Sequence, residues 1–380
     1  MQMHRAWRSH LVAFALVLTL RIASGQYLYF NGRFPEQKSN TPAFPQTLTW
    51  ASSSVYIPFQ GSGDVTVALS STSETGSSQI ELRVDSKLVE SATINSTTSR
   101  NVSIPILGPG SHLLVVTKIT ESLFGEATLD NVFLVGPRSE DRGNGLNNRR
   151  MEIIGASVVN GFGDLGQSLG CDPAFRAEDS VLAFGPLAAN HFGARFAQIS
   201  WAGAGLLPGN NGKGTPSIPQ LYNRTLPREA ASTWNHASFV PQVVVVDAGA
   251  NDFNSGSAEP GWSAAYRSFL LQIRANAPEA DVIIMGFPEN VLSGYKTEAA
   301  QRNFNGNVTA VVGDLQDGGF SHLHFLNVPS SVKTDGTGCL GHPTTDTHAN
   351  IANILQDYIG NLTGWTPVPA QGSSTFIFNN

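Results

Sequence analysis

The sequence predicts an all-β domain followed by a three-layer α/β domain, and three observations carry that expectation. From Gln26 to about Gly136, short alternating apolar runs are separated by Gly, Pro and Asp-Ser turns, without a helical period. Residues 138–150, RSEDRGNGLNNRR, are polar and rich in Gly and Asn, as interdomain linkers are. After Met151, short apolar runs alternate with longer segments of helical period, the pattern of a parallel sheet flanked by helices.

In the first domain (26–137) the predicted strands are Val55–Phe59, Val65–Leu69, Gln79–Val84, His112–Thr117 and Val132–Val135. Gly61-Ser-Gly63, Asp85-Ser86 and Gly108-Pro-Gly110 punctuate them, and short strands at near-regular spacing imply a two-sheet sandwich. In the second domain (151–366) strands are expected at Met151–Gly155, Arg195–Ser200, Val243–Ala248, Asp281–Phe287 and His322–Asn327. Four of these are apolar runs of the kind buried on both faces of a parallel sheet. Helices are expected at Glu178–His191, Trp262–Ala275, Lys296–Leu315 and His348–Ile359. A long Pro/Gly-rich excursion from Leu206 to Phe239 carries Tyr222 and Trp234 and follows a strand end, where loops tend to be functional. Residues 367–380 read as a tail.

At 380 residues the chain has ample length for two cores. Residues 1–25 read as a secretory leader: Arg5 and Arg8 precede the apolar run Leu11–Leu20, and Ala23-Ser-Gly25 offers small residues for cleavage. That run falls short of the roughly 20 residues a membrane span needs. The expectation is a secreted, extracellular protein with no membrane partner. A net charge of −6, more acidic still once the leader's arginines are removed, argues against nucleic acid as a partner. Asn95, Asn101, Asn223, Asn307 and Asn361 each begin a glycosylation sequon. Two cysteines, Cys171 and Cys339, are the whole inventory, and an oxidising compartment favours one bridge between them. Nothing in the sequence sets the oligomeric state.

The chemistry centres on Met151–Gly163, MEIIGASVVNGFG. Ser157 stands where the first parallel strand gives way, at the mouth of the crevice such sheets use for ligands. Trp201-Ala-Gly-Ala-Gly205 supplies a backbone donor. Gly249-Ala-Asn-Asp252 supplies a carboxamide donor at Asn251, and Gly341-His-Pro343 supplies a general base at His342. Nucleophile, two oxyanion donors and base are what acyl transfer through serine needs. The Ser157 N–H would serve as a third donor.

Rival patterns are weaker. Gly161-Phe-Gly-Asp-Leu-Gly166 matches the dinucleotide fingerprint. Cys171 and Pro173 intrude where the phosphate-binding helix should run, so no nicotinamide or other cofactor is expected. His322 and His324 share a strand face, yet no third ligand accompanies them, and no metal is expected. Gly-Ala-Ser-Val-Val lacks the second glycine of a nucleophile elbow.

These pieces together resemble the SGNH (GDSL-type) hydrolases, and within them carbohydrate esterase family 2. The resemblance rests also on Gly32-Arg-Phe34, Lys118-Ile-Thr-Glu-Ser-Leu-Phe-Gly125 and Trp234–Phe253. It implies a β-jelly-roll domain before an SGNH-type three-layer catalytic domain. It implies Ser157 as nucleophile, Gly203 and Asn251 in the oxyanion hole and His342 as base. The implied activity is removal of O-acetyl groups from polysaccharide, acetylated plant polysaccharides being the implied substrate. Trp201, Tyr222 and Trp234 are the candidate sugar-binding aromatics. Two positions depart from the pattern. Ala156 stands where Asp usually precedes the serine, and Leu340 stands where an acid often lies two residues before the histidine. Some members of the family resemble dyads in which a backbone carbonyl orients the imidazole. Asp346 and His348 are the nearest surrogate acid candidates, more simply read as the start of the last helix. The alternative to an enzyme is a non-catalytic glycan-binding protein that keeps the fold.

Overall fold

A computed structural model describes residues 28–35, 44–134, 136, 148–170, 174–209, 214–253, 256–287, 297–332 and 338–368. The leader, most of the expected linker, Cys171 and most of the tail lie outside the described residues.

The N-terminal part folds as two antiparallel sheets. One contains β1 (Tyr29–Asn31), β3 (Ser54–Gln60), β8 (Ser111–Lys118), β5 (Ser78–Val84) and β6 (Lys87–Ile94), in that spatial order. The other contains β2 (Gln46–Leu48), β9 (Ala127–Phe133), β4 (Gly63–Ser71) and β7 (Arg100–Ile106). Residues alternate across each strand, so Val55, Ile57 and Phe59 of β3 face Val65, Val67 and Leu69 of β4 in one apolar core. Asp85 and Ser86 both adopt positive φ and form the two-residue turn that joins β5 to β6. Four of the five predicted strands are present as read, and the fifth, expected at Val132–Val135, runs earlier, from Ala127 to Phe133, with Val135 outside the described residues. Four more, β1, β2, β6 and β7, were not anticipated.

The C-terminal part is a five-stranded parallel sheet: β10 (Arg150–Gly155), β11 (Arg195–Ser200), β12 (Val243–Asp247), β13 (Asp281–Gly286) and β14 (Leu323–Asn327). The spatial order is β11-β10-β12-β13-β14. Helices pack on both faces. Trp262, Tyr266, Phe269, Leu270 and Ile273 line the buried face of α4 (Trp262–Asn276), spaced as one helical stripe demands. With α3 (Ile218–Tyr222) and α5 (Glu298–Asp317), this helix covers Ile154, Val244, Val246 and Ile284. On the other face, α2 (Phe184–His191) and α6 (Thr345–Thr363) cover Met151, Ile153, Val243, Val245 and Ile283. The result is the three-layer arrangement expected.

Two helix expectations change. The helix predicted from Glu178 is divided into a 3₁₀ turn at Ser180–Leu182, capped by the Asp179 carboxylate on Val181 N–H, and α2 beginning at Phe184. Pro186 explains the late start, because proline is tolerated in a helix's first turn and not within it. The excursion from Leu206 to Phe239 holds α3, opened by a capping box of Ser217 and Gln220.

The two parts share a densely bonded seam. Arg33, 1% exposed, donates to Glu152 on β10 at 3.0 Å and to the Tyr222 and Arg224 carbonyls. Burial pushes Arg33 down and Glu152 up, and each charge holds the other against that push. Trp50 Nε1 donates to the Thr225 carbonyl at 2.7 Å. Asn31 Oδ1 accepts Phe196 N–H on β11 at 2.6 Å, which covers the sheet's edge.

Candidate active site

Strand order places the crevice. The chain leaves β10 for β11 on one side and then crosses to β12 on the other, so loops diverge at the carboxyl ends of β10 and β12. Ser157 follows β10 as the first residue of a single helical turn, α1 (Ser157–Asn160). Asn251 follows β12 in a 3₁₀ turn, Ala250–Phe253. Gly203 follows β11 with φ +78°, a conformation that a side chain would strain.

His342 comes from the loop between β14 and α6. Its Nε2 lies 2.9 Å from Ser157 Oγ, and its Nδ1 lies 3.0 Å from the Cys339 carbonyl oxygen. A carbonyl only accepts, so Nδ1 carries the hydrogen and Nε2 is left to accept the serine's proton. The ring packs on Phe162 with centroids 4.9 Å apart. Ser157 and His342 are 3% and 4% exposed, which keeps bulk water from competing for their hydrogen bond.

The loop that carries His342 is tied to the segment after the nucleophile. Gly163 O accepts Cys339 N–H at 2.9 Å, Leu169 O accepts Leu340 N–H at 3.1 Å, and Asp164 O accepts Thr345 N–H at 3.2 Å. A Cβ on Gly163, which has φ +77°, would come within 2.8 Å of Cys339 atoms. The run that matched a dinucleotide fingerprint therefore serves to let two loops meet backbone to backbone.

Asn251 Nδ2 donates to the Ala204 carbonyl at 2.9 Å, fixing the plane of the carboxamide. Asp252, to which the sequence reading gave no role, accepts from Leu206 N–H at 2.7 Å and Leu207 N–H at 3.1 Å. Residues 251 and 252 thus clamp the loop that carries Gly203. The signal was available in Gly249-Ala-Asn-Asp252, where an acid beside the donor can only accept.

Other expectations are corrected. Tyr222 is fully buried, its ring edge-on to Phe269 at 5.5 Å and beside His236 at 4.5 Å, so it has no face to offer a sugar. Trp234 is half-buried over the Arg33 guanidinium, 4.9 Å away, and lines a recess with Pro35 and Thr225. Trp201 is half-buried at the start of the loop that carries Gly203. His348 is fully buried against Phe184, where its Nδ1 accepts Phe184 N–H, and burial pushes its pKa down to about 3. It is no surrogate acid, and Asp346 occupies the first turn of α6. His322 and His324 share Asp281, at 3.2 and 2.8 Å. Among the described residues no three His, Cys, Asp or Glu side chains are grouped to hold a metal.

Ser157, Gly203, Asn251 and His342 thus stand at one end of one parallel sheet, with serine and histidine in hydrogen-bond contact. The GDSL-like Lipase/Acylhydrolase family matches residues 153–350, more than half of the chain, and the chain belongs to that family. It is 28% identical over 345 residues to the cellulase/esterase CelE of Acetivibrio thermocellus, covering 89% of this chain. The match spans only 40% of CelE's length. It is 26% identical over 276 residues to an acetylxylan esterase / glucomannan deacetylase of Cellvibrio japonicus, covering 69% of this chain and 72% of that protein. A solved family two carbohydrate esterase from Clostridium thermocellum, in complex with cellohexaose, superposes with a TM-score of 0.78 at 27% identity. That match covers 89% of this chain and all of the other.

Proposed function

We propose that this protein is a secreted carbohydrate O-acetyl esterase that works through a serine acyl-enzyme. The observation that carries the reading is the relay from Cys339 O through His342 to Ser157 Oγ. Ser157 Oγ attacks the acetyl carbonyl as His342 Nε2 takes its proton. The tetrahedral oxyanion is met by N–H groups of Ser157, Gly203 and Asn251. His342 then passes the proton to the departing sugar hydroxyl. Water, deprotonated by the same nitrogen, attacks the acetyl-serine and releases acetate. The Cys339 carbonyl keeps the imidazole in the useful tautomer throughout, in place of the acid absent at Leu340.

An acetylated plant polysaccharide as substrate is supported by the relatives named for acetylxylan and glucomannan. Trp201, beside the oxyanion loop, is the aromatic best placed to meet a sugar ring, with Trp234 more remote. Secretion is supported by the leader pattern, and glycosylation by sequon asparagines that lie exposed at Asn95, Asn101, Asn223 and Asn361. A Cys171–Cys339 disulfide is supported by Cys339 Sγ, 3.7 Å from the carbonyl of Gly170, the neighbour of Cys171. It would tie the base's loop to the nucleophile's. Non-reducing peptide mapping should recover the two cysteines in one linked peptide, and two free thiols would reject the bridge.

The test of function is acetate release from acetylated xylan and glucomannan, with an aryl acetate as a simple reporter. Wild type should turn over, and Ser157→Ala should not. Glycan binding without acetate release would overturn the reading in favour of a binding protein.

A further inference from the structure

The β domain reaches the catalytic loops at Glu121. This residue lies just beyond β8, is 1% exposed, and its Oε2 accepts Ala202 N–H at 2.8 Å. Ala202 immediately precedes Gly203, the oxyanion donor. Fixing the Trp201–Ala202 peptide therefore leaves only the Ala202 dihedrals between a fixed plane and the Gly203 N–H. Glu121 is itself held from behind, since its backbone N–H donates to Glu178 Oε1.

The second oxygen of Glu121 points elsewhere. Oε1 is buried without a hydrogen-bond partner, and so is Asn160 Nδ2. The Asn160 amide also works against the burial that raises the Glu121 carboxyl, which places Asn160 beside it. Asn160 ends α1, three residues after Ser157, and its Oδ1 accepts the hydroxyl of Ser200 at the end of β11. One carboxylate from the first domain therefore sits between the nucleophile's helix and the oxyanion loop. Burial raises it to about 7, against the pull of the Ala202 N–H and of Lys118, so its placement has a cost that packing alone does not require.

We infer that Glu121 is a positioning residue of the esterase site. It holds the Trp201–Gly203 loop through Ala202 N–H so that Gly203 presents its N–H to the oxyanion, and it makes the β domain part of the catalytic unit. The inference rests on the esterase reading for its kinetic consequence, and on geometry alone for its structural one.

Two readouts test it on the full chain. Glu121→Leu removes the acceptor, whereas Glu121→Gln keeps one oxygen for Ala202 N–H; Glu121→Ala covers failure of the leucine variant to fold. On an aryl acetate, the leucine or alanine variant should lose about 10- to 100-fold in kcat with KM within about twofold, below the loss of a donor itself. Glutamine should recover most of that loss. Amide exchange followed by mass spectrometry should rise at least about tenfold in the peptide containing Ala202 and Gly203 in the leucine or alanine variant, with β10 and β12 unchanged. Unchanged exchange at that peptide, a loss confined to KM, or no rescue by glutamine would overturn the inference. Absence of Ser157-dependent turnover in wild type would instead overturn the esterase reading, with the exchange readout still deciding the role of Glu121.

Discussion

Replacing Asp247 by Asn should make the protein more stable at pH 8 than at pH 5 relative to wild type. Asp247 ends the central strand β12, in register with Gly155 just before the nucleophile, and is 7% exposed. Burial is the cause that raises its carboxyl from 3.8 to about 7. The folded protein therefore keeps a proton that the unfolded chain releases near 3.8. Stability from this group is intact below that value and is lost as pH climbs through about 7. The shift amounts to about 4 kcal/mol when complete, of which about 2–3 kcal/mol accrues between pH 5 and pH 8. Asn has the shape of the protonated acid and cannot ionise, so it escapes that loss. Other groups pull the other way. Burial lowers His236 to about 4 and His348 to about 3, so their contribution is lost as pH falls below 6.5. Both proteins share those histidines, and the difference between them isolates Asp247. Urea unfolding of wild type and Asp247→Asn at the two pH values is the assay. A stability gap that stays constant from pH 5 to pH 8 would refute the claim that this carboxyl is protonated in the fold.

Two further outcomes concern catalysis. Asn251→Ala should lower kcat by about 10²–10³ with little change in KM, since it removes a donor used in the transition state; a change confined to KM on an aryl acetate would assign Asn251 to ground-state binding. Leu340→Asp should leave kcat within about twofold, because the side chain at 340 is 55% exposed and the Cys339 carbonyl already holds Nδ1. Leu340 also has φ 52°, which Asp tolerates better than Leu, so the melting temperature should not fall. A tenfold gain in kcat would show that the new carboxylate reaches the imidazole and that the carbonyl is a poor partner.

The parallel strands were legible because burial on both faces writes an unbroken apolar run, as in Val243–Val246. The strands that escaped notice do not carry that signature. β6 and β7 lie at the sheet edges: β6 is exposed or half-buried from Lys87 to Ser91, and β7 alternates around a proline, Pro105, that reads as a break. β1 and β2 are three residues each, too short for any period. Tyr222 was misjudged because a Pro/Gly-rich stretch reads as surface, although Ser217-Ile-Pro-Gln220 already spelled a helix start. That short helix turns the tyrosine into the core.

The site divides along the same physical line. Ser157 and Asn251 were legible as distinctive side chains just past a strand end, and His342 as an imidazole just before the last helix. The partner of the histidine was not, because every residue carries a carbonyl and only the fold selects Cys339. Leu340 occupies a left-handed φ between Cys339 and Gly341, and that turn brings the Cys339 carbonyl back under His342 Nδ1. Glu121 stayed silent for a related reason. Its contact with Ala202 crosses 81 residues and two domains, and no period or spacing in the sequence records such a pair. Its neighbour Glu178 belongs to the stretch read as a helix, whose true start at Phe184 frees the acid to turn into the seam. Loss of the acids at 156 and 340 is therefore no argument for loss of activity. The proton relay is completed by a backbone atom, and the oxyanion loop is held by a carboxylate from the other domain.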